Sequence, residues 1–339
     1  MAEIRVRRAD LEADRNALVE LLLRYLTARS TERRFRWLYQ ENPHGSARAW
    51  IATHGNNDEI IGSGTIVPRL VQAAGVSRLT AVMADFWIHP DFRTLGPALK
   101  LQKACVEGAA ALGFAFFDLP QGNMPAVYRR MKLLGTKQLS MLAKPLRTEP
   151  YLRKWVSQPW LTRPLARIGD LLLQLKDWRG PGGYEICVHN GGFGEEFSEL
   201  FRRVAGDYGI CVARSAEYLE WRYRNHYYLP YEIFTARRGA RLAAYAAIVD
   251  SDDSAEVVDL FGESQPEVRL HLLREIARVF RERGRSVLRI ALHASSPWID
   301  VLTAIGFRMR QTKPLVIHTF QTADVGLSHW FLNYGDIDY

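Results

Sequence analysis

The chain opens on aliphatic residues alternating with charges, Ile4-Arg5-Val6-Arg7, which predicts an edge or half-buried strand. Helical spacing follows up to Tyr25, with Leu18, Leu21, Leu22 and Tyr25 on one face. Ser30-Thr31-Glu32 reads as the cap of a second helix that carries Phe35, Trp37 and Tyr39 and is stopped by Asn42-Pro43. Strands are expected at 49–53, 60–68 and 79–89, with Gly, Asn and Asp turns between them, as in an antiparallel meander. A long helix is predicted from Gly96 to Leu112. Leu101, Ala104, Cys105, Gly108 and Leu112 share one face, opposite Lys100, Lys103 and Glu107. A short apolar strand at 114–119 and helix-like text from Asn123 to Gly135 complete a β-α-α-β-β-β-α-β-α order.

Residues 144–183 break this pattern with Pro145, Pro150, Pro159, Pro164, Trp155, Trp160, Trp178 and Gly180-Pro181-Gly182-Gly183. They predict a connector with a short amphipathic helix near 165–175. Its basic, aromatic character fits a membrane surface or a partner protein, while tryptophans packed between two domains are the simpler expectation.

Beyond the connector the order of elements repeats. Strands are expected at 184–188, 231–236, 241–249, 255–260 and 287–292, and helices at 193–204, from Ser215, at 266–283 and before Gly306-Phe307. Ser30-x-Glu32…Trp37-x-Tyr39 recurs as Ser215-x-Glu217…Trp221-x-Tyr223, one residue out of register between cap and aromatic pair. A tandem repeat accounts for this, with units at 1–143 and 184–339 around the connector.

At 339 residues the chain has about twice the usual size of one domain, and 47% hydrophobic residues exclude a disordered or coiled-coil chain. The net charge is +8, from 45 Lys+Arg against 37 Asp+Glu, and it favours anionic partners without naming one. Cys105, Cys187 and Cys211 lie far apart, so neither a disulfide framework nor a zinc cluster is expected, and a reducing cytoplasm fits. The alternating N-terminus is unlike a secretory signal, and no apolar run is long enough to span a bilayer. The nine histidines are scattered, and no metal site is expected.

Chemistry concentrates where the third strand meets the long helix, over residues 85–98. Backbone N–H groups at a helix start are unpaired and carry the positive end of the helix dipole, so a turn without bulk there can cradle a phosphate. Gly96 permits close approach, and Pro97, though lacking an N–H, has a φ suited to the first turn. Strict alternation would place Met83, Asp85, Trp87 and His89 on one strand face and Val82, Ala84, Phe86 and Ile88 on the other.

Ile88-His89-Pro90 followed by Arg93-Thr94-Leu95-Gly96-Pro97-Ala98 resembles the GNAT acyl-CoA N-acyltransferases. Their phosphate loop reads Arg/Gln-x-x-Gly-x-Gly/Ala after a Val-x-Pro strand end. The resemblance covers about 140 residues, and the second half looks like another copy. It implies an α+β fold of two GNAT-like domains, each a mostly antiparallel twisted sheet flanked by helices. It also implies acetyl-CoA, or another acyl-CoA, as co-substrate and transfer to a primary amine on a small molecule. Ile88, Arg93, Thr94, Leu95, Gly96, Pro97, Ala98 and Asn123 would bind CoA, Asp85 would be the base and Tyr128 the acid; the alternatives are an Asp85 that caps or pairs with an arginine and a Tyr128 that is a solvated or core aromatic. Tyr128 departs from the family pattern: it stands seven residues before Gly135, whereas the family's tyrosine stands four before, where this chain has Met131.

The second copy reads Leu260-Phe261-Gly262-Glu263-Ser264-Gln265-Pro266 at the corresponding turn, where Glu263 would repel a phosphate, so CoA is expected at the first copy only. It keeps Gly306-Phe307, the family's closing motif. Trp221, Tyr223, Tyr227, Tyr228 and Tyr231 can form an acceptor wall or an interface between the copies. A Fem-like aminoacyl transferase and a non-catalytic acyl-CoA-binding or scaffold protein are the alternatives; no nucleic-acid partner is expected.

Overall fold

A computed structural model describes residues 3–55, 58–153, 158–176, 183–319 and 330–337. The first half contains β1 (Ile4–Arg8), α1 (Arg15–Tyr25), α2 (Glu32–Phe35, continued by a π-helical turn over Arg36–Gln40), β2 (Arg48–His54), β3 (Glu59–Ala73), β4 (Val76–Ile88), α3 (Leu95–Ala111), β5 (Ala115–Asp118) and α4 (Met124–Arg130). Between the halves run β6 (Gln138–Pro145), α5 (Glu149–Leu152) and α6 (Pro159–Lys176). The second half contains β7 (Glu185–His189), α7 (Glu195–Val204), β8 (Ile210–Val212), α8 (Ala216–Leu219, continued by a π-helical turn over Glu220–Arg224), β9 (Glu232–Arg238), β10 (Arg241–Asp250), β11 (Ser254–Gly262), α9 (Pro266–Glu282), β12 (Val287–His293), α10 (Ile299–Ala304), β13 (Arg308–Pro314), β14 (Val316–His318) and β15 (Trp330–Phe331).

These strands form two sheets. One runs β1-β2-β3-β4-β5-β14, with β8 and β15 added beside the far end of β3; the other runs β13-β6-β12-β11-β10-β9-β7. In each, the first four strands of the unit are antiparallel, and the fifth lies parallel to the fourth, as β4–β5 and β11–β12. Each fifth strand then takes its outer neighbour from elsewhere in the chain: β5 pairs with β14, and β12 with β6. The boundary expected at residue 143 therefore falls inside β6, which is hydrogen-bonded on both sides within the second sheet. Cutting there would leave two ladders open.

The internal repeat is visible in the packing. Thr31, not Ser30, caps α2, accepting from the backbone N–H of Arg34, as Ser215 caps α8 by accepting from Tyr218. With Thr31 as the cap the two halves align without a register shift. Trp37 and Trp221 then occupy equivalent sites: their rings stack 4.6 Å apart, and each indole N–H donates to the other's carbonyl at 2.9 Å. Such a reciprocal contact is what a local two-fold axis between the units produces. A continuous core spans this junction, from Leu18, Phe35 and Val67 to Tyr218, Tyr245 and Leu272.

On the other face of the first sheet, α3 buries Leu101 against Ile61 and Ile88, and Cys105 and Val106 against Ala81, Met83 and Phe116. Gly108 faces Trp50 so closely that a β-carbon would stand 2.0 Å from the indole. Gly108→Ala is expected to cost about 1–3 kcal/mol of stability, read as a lowered urea midpoint at unchanged slope.

In the connector, Trp155 and Trp178 lie outside the described residues. Trp160 does not pack between the halves as expected; it is exposed on α6.

Candidate active site

The site forms where two neighbouring strands part. The β4–β5 ladder ends at Val82–Phe117, while β4 runs on to Ile88, still paired with β3. The edge of β4 facing β5 is thus unladdered beyond Val82, and backbone donors and acceptors there can meet a ligand.

A bulge shapes the opening. Opposite Gly64 on β3, β4 carries two residues, Asp85 and Phe86, and Asp85 adopts a left-handed conformation at φ 47°. Strict alternation fails at this point, which corrects the expected faces. Ala81 and Met83 point toward α3 before the bulge, whereas Phe86 and Ile88 do so after it. Gly64 permits this crowding, since a β-carbon there would lie 2.9 Å from the Cys105 sulfur and 3.1 Å from Phe86.

Asp85 is buried beneath the bulge. Arg34 donates to both carboxylate oxygens, at 2.7 and 2.6 Å, and Tyr39 donates a third bond at 2.9 Å. Despite burial, the Arg34 guanidinium is held charged by this carboxylate, and burial beside Asp85 drives the Tyr39 hydroxyl well above its usual range. The ion pair ties α2 to the bulge and offsets the strain of a non-glycine residue at positive φ.

Two cavities flank the bulge. One of about 580 Å³ is lined by Tyr25, Trp87, Ile88, Arg93, Thr94, Leu95, Ala98 and Asn123, among others. It gathers six of the eight residues expected to bind CoA. The other two differ: Gly96 is exposed between Leu95 and Ala98, and Pro97 is buried in the first turn of α3. Arg93 turns its Nε back to the Ile88 carbonyl at 3.0 Å. Thr94 makes no side-chain cap, and nothing lies within 4 Å of where a Gly96 β-carbon would stand, so the helix start is open to an anion. Trp87, stacked on Tyr25 at 4.2 Å, keeps a buried indole N–H with no partner among the described residues. An uncapped helix start, open space and an orphan donor on one cavity fit a CoA diphosphate and its pantetheine arm.

The second cavity, about 370 Å³, is lined by Arg29, Arg34, Asp85, Gln102, Asp118, Tyr227 and Tyr228, among others. Leu26, Phe86 and Met124 belong to both cavities. The second half therefore supplies part of this wall, through Tyr227 and Tyr228. Arg29 donates to the Tyr228 hydroxyl at 2.8 Å and lies over its ring.

Tyr128 lines neither cavity. It is fully buried, accepts from Gln102 at 2.7 Å and donates to Asp118 at 2.6 Å. The group that reaches the cavity is Asp118, which sequence reasoning does not single out. Burial pushes its carboxyl up to about 7, against the lowering effect of the bonds from Tyr128 and the Leu119 backbone. The only local signal is a carboxylate ending an apolar strand, Phe116-Phe117-Asp118.

In the second half the corresponding opening is filled. The β11–β12 ladder ends at Val257–Ile290, and the chain around Asn333 enters the gap. Asn333 donates to Asp259 at 2.6 Å and to the Leu260 carbonyl at 3.2 Å, and Leu332 accepts from the His293 backbone at 2.8 Å.

No family model matches the chain, and no curated protein matches it in sequence. Solved structures do match in fold. A GCN5-related N-acetyltransferase from Anabaena variabilis is 13% identical, with a TM-score of 0.67 over 94% of this chain and 73% of that one. One from Kribbella flavida is also 13% identical, with a TM-score of 0.62 over 94% and 71%. Saccharomyces cerevisiae N-myristoyltransferase with bound myristoyl-CoA is 10% identical, with a TM-score of 0.57 over 94% and 83%. The splayed β4–β5 pair, the bulge and the open start of α3 thus sit in a chain that has the fold of the GCN5-related N-acetyltransferases.

Proposed function

We propose that the protein transfers an acyl group from acyl-CoA to a primary amine, with one acyl-CoA site, in the first half. The observation that carries this reading is the junction of the two cavities at Leu26, Phe86 and Met124, beside the unladdered edge of β4. A thioester arriving from the open start of α3 meets there an amine held between Asp118 and Tyr228. Backbone N–H groups of β4 beyond Val82 polarise the thioester carbonyl. Asp118 takes the ammonium proton, the neutral amine forms the C–N bond, the C–S bond breaks, and the departing thiolate takes the second amine proton, leaving the amide and CoA thiol. Asp85 and Tyr128, expected as base and acid, become positioning residues: Asp85 fixes the bulge through Arg34, and Tyr128 orients Asp118. The filled gap around Asn333 supports a single CoA per chain.

The test is release of free thiol from acetyl-CoA by the full chain against a panel of amines, amino sugars and amino acids. Amine-dependent release supports the reading. CoA binding without release from any amine favours a non-catalytic acyl-CoA-binding protein, and absence of CoA binding overturns both. With the acceptor in hand, Tyr228→Ala is expected to raise its KM about tenfold and leave acetyl-CoA affinity unchanged, because Tyr228 lines only the second cavity.

A further inference from the structure

The helix α6 is oriented opposite to an ordinary surface helix, which turns its large apolar side chains inward. It rests on the body through small residues. Thr162 and Ala166 are buried, and a β-carbon on Gly169 would stand 2.8 Å from the Thr148 side chain. Asp170 accepts from the backbone N–H and the hydroxyl of Thr148, at 2.7 and 2.8 Å. Its large apolar residues face outward: Trp160 is 72% exposed, Ile168 60%, Leu171 58% and Leu172 59%, joined by Leu161 and Leu165.

We propose that α6 lies along an anionic lipid surface and anchors the protein there, independently of the reading of the active site. Charge selects this occupant. In sequence α6 carries three Lys and Arg, Arg163, Arg167 and Lys176, against one acid, and that acid, Asp170, is turned inward onto Thr148. Arg167 is exposed on the helix. Two copies meeting through this face would bring like charges together, whereas anionic headgroups neutralise them. The face is also the convex side of a single helix about 27 Å long, suited to a plane and not to a groove. No helix among the described residues is long and apolar enough to cross a membrane, so α6 lies in the interface.

The test is co-sedimentation of the full chain with vesicles of phosphatidylcholine alone or mixed with phosphatidylglycerol, with light scattering of the free protein. Binding to the mixed vesicles is expected to exceed binding to the neutral ones at least about tenfold and to weaken with salt. The double variant Ile168→Glu, Leu172→Glu should lower it at least about tenfold at unchanged melting temperature, since both side chains are exposed. Failure to bind mixed vesicles, or equal binding to both, overturns the proposal. So does a dimer of the parent that the double variant dissociates, which would make α6 a contact between copies.

Discussion

Gly96→Glu is expected to weaken acetyl-CoA binding at least about a hundredfold while leaving the fold intact. The site of substitution is open, with nothing within 4 Å of the new β-carbon and an ordinary helical backbone. Stability should therefore hardly change. What changes is charge: a carboxylate at the uncapped start of α3 opposes the helix dipole and repels the diphosphate. At a few ångströms near a protein surface that repulsion is worth several kcal/mol, enough for the stated loss. Calorimetry of the folded variant reads it, and unchanged affinity would remove CoA from this turn. The parent titration reads a second quantity. One CoA per chain is expected, because the gap equivalent to the cleft is occupied by the chain around Asn333. Two per chain would show that this segment moves aside.

Much of the fold was legible because helical and strand periodicities are local. The repeat, the meander, the long α3 and the strand–helix turn at Arg93–Ala98 all follow from spacing and end signals within short windows. The exchange of β6 and β14 between the sheets was not legible. Alternation tells a strand which face is buried but not which edge it joins, and Gln138–Pro145 pairs with residues about 150 positions away. The same limit hid the cap of α2, where Ser30 and Thr31 are both good N-caps and only the hydrogen bond to Arg34 selects Thr31.

At the site the distinction is sharper. The open start of α3 could be read because a helix start needs no distant partner to leave its backbone N–H groups free. Asp85 could be found but not assigned, since its role depends on Arg34, fifty-one residues earlier. A bulge inserts one residue and reverses every face after it, so alternation along β4 misplaced Phe86 and Ile88. Tyr227 and Tyr228 needed the contact between halves that Trp37 and Trp221 make. The members of that aromatic group divide by position: Trp221 lies in the junction, Tyr228 lines the cavity, and Tyr227 does both, packed on Trp37 at 5.3 Å.

Asp118→Asn is expected to lower turnover about a hundredfold or more, with acetyl-CoA affinity unchanged, because the amide can hold the acceptor but takes no proton from it. In the parent, the carboxyl must be ionised to act, so the rate should rise with pH through about 7, and the variant should lack that limb. Tyr128→Phe gives a different signature. The tyrosine's bond lowers the Asp118 carboxyl, so its removal should move the limb to higher pH without abolishing it. Stability supplies a readout independent of any acceptor. The folded carboxyl holds its proton up to about 7, while the unfolded chain releases it near 3.8, so the folded state binds more protons between these values. Parental stability from this group therefore falls as pH rises from about 4 to about 7 and is level above. Asp118→Asn should flatten that slope in melts taken across the same range. A variant with parental turnover and an unaltered slope would place the proton acceptor elsewhere and return Asp118 to a purely structural role beside Tyr128.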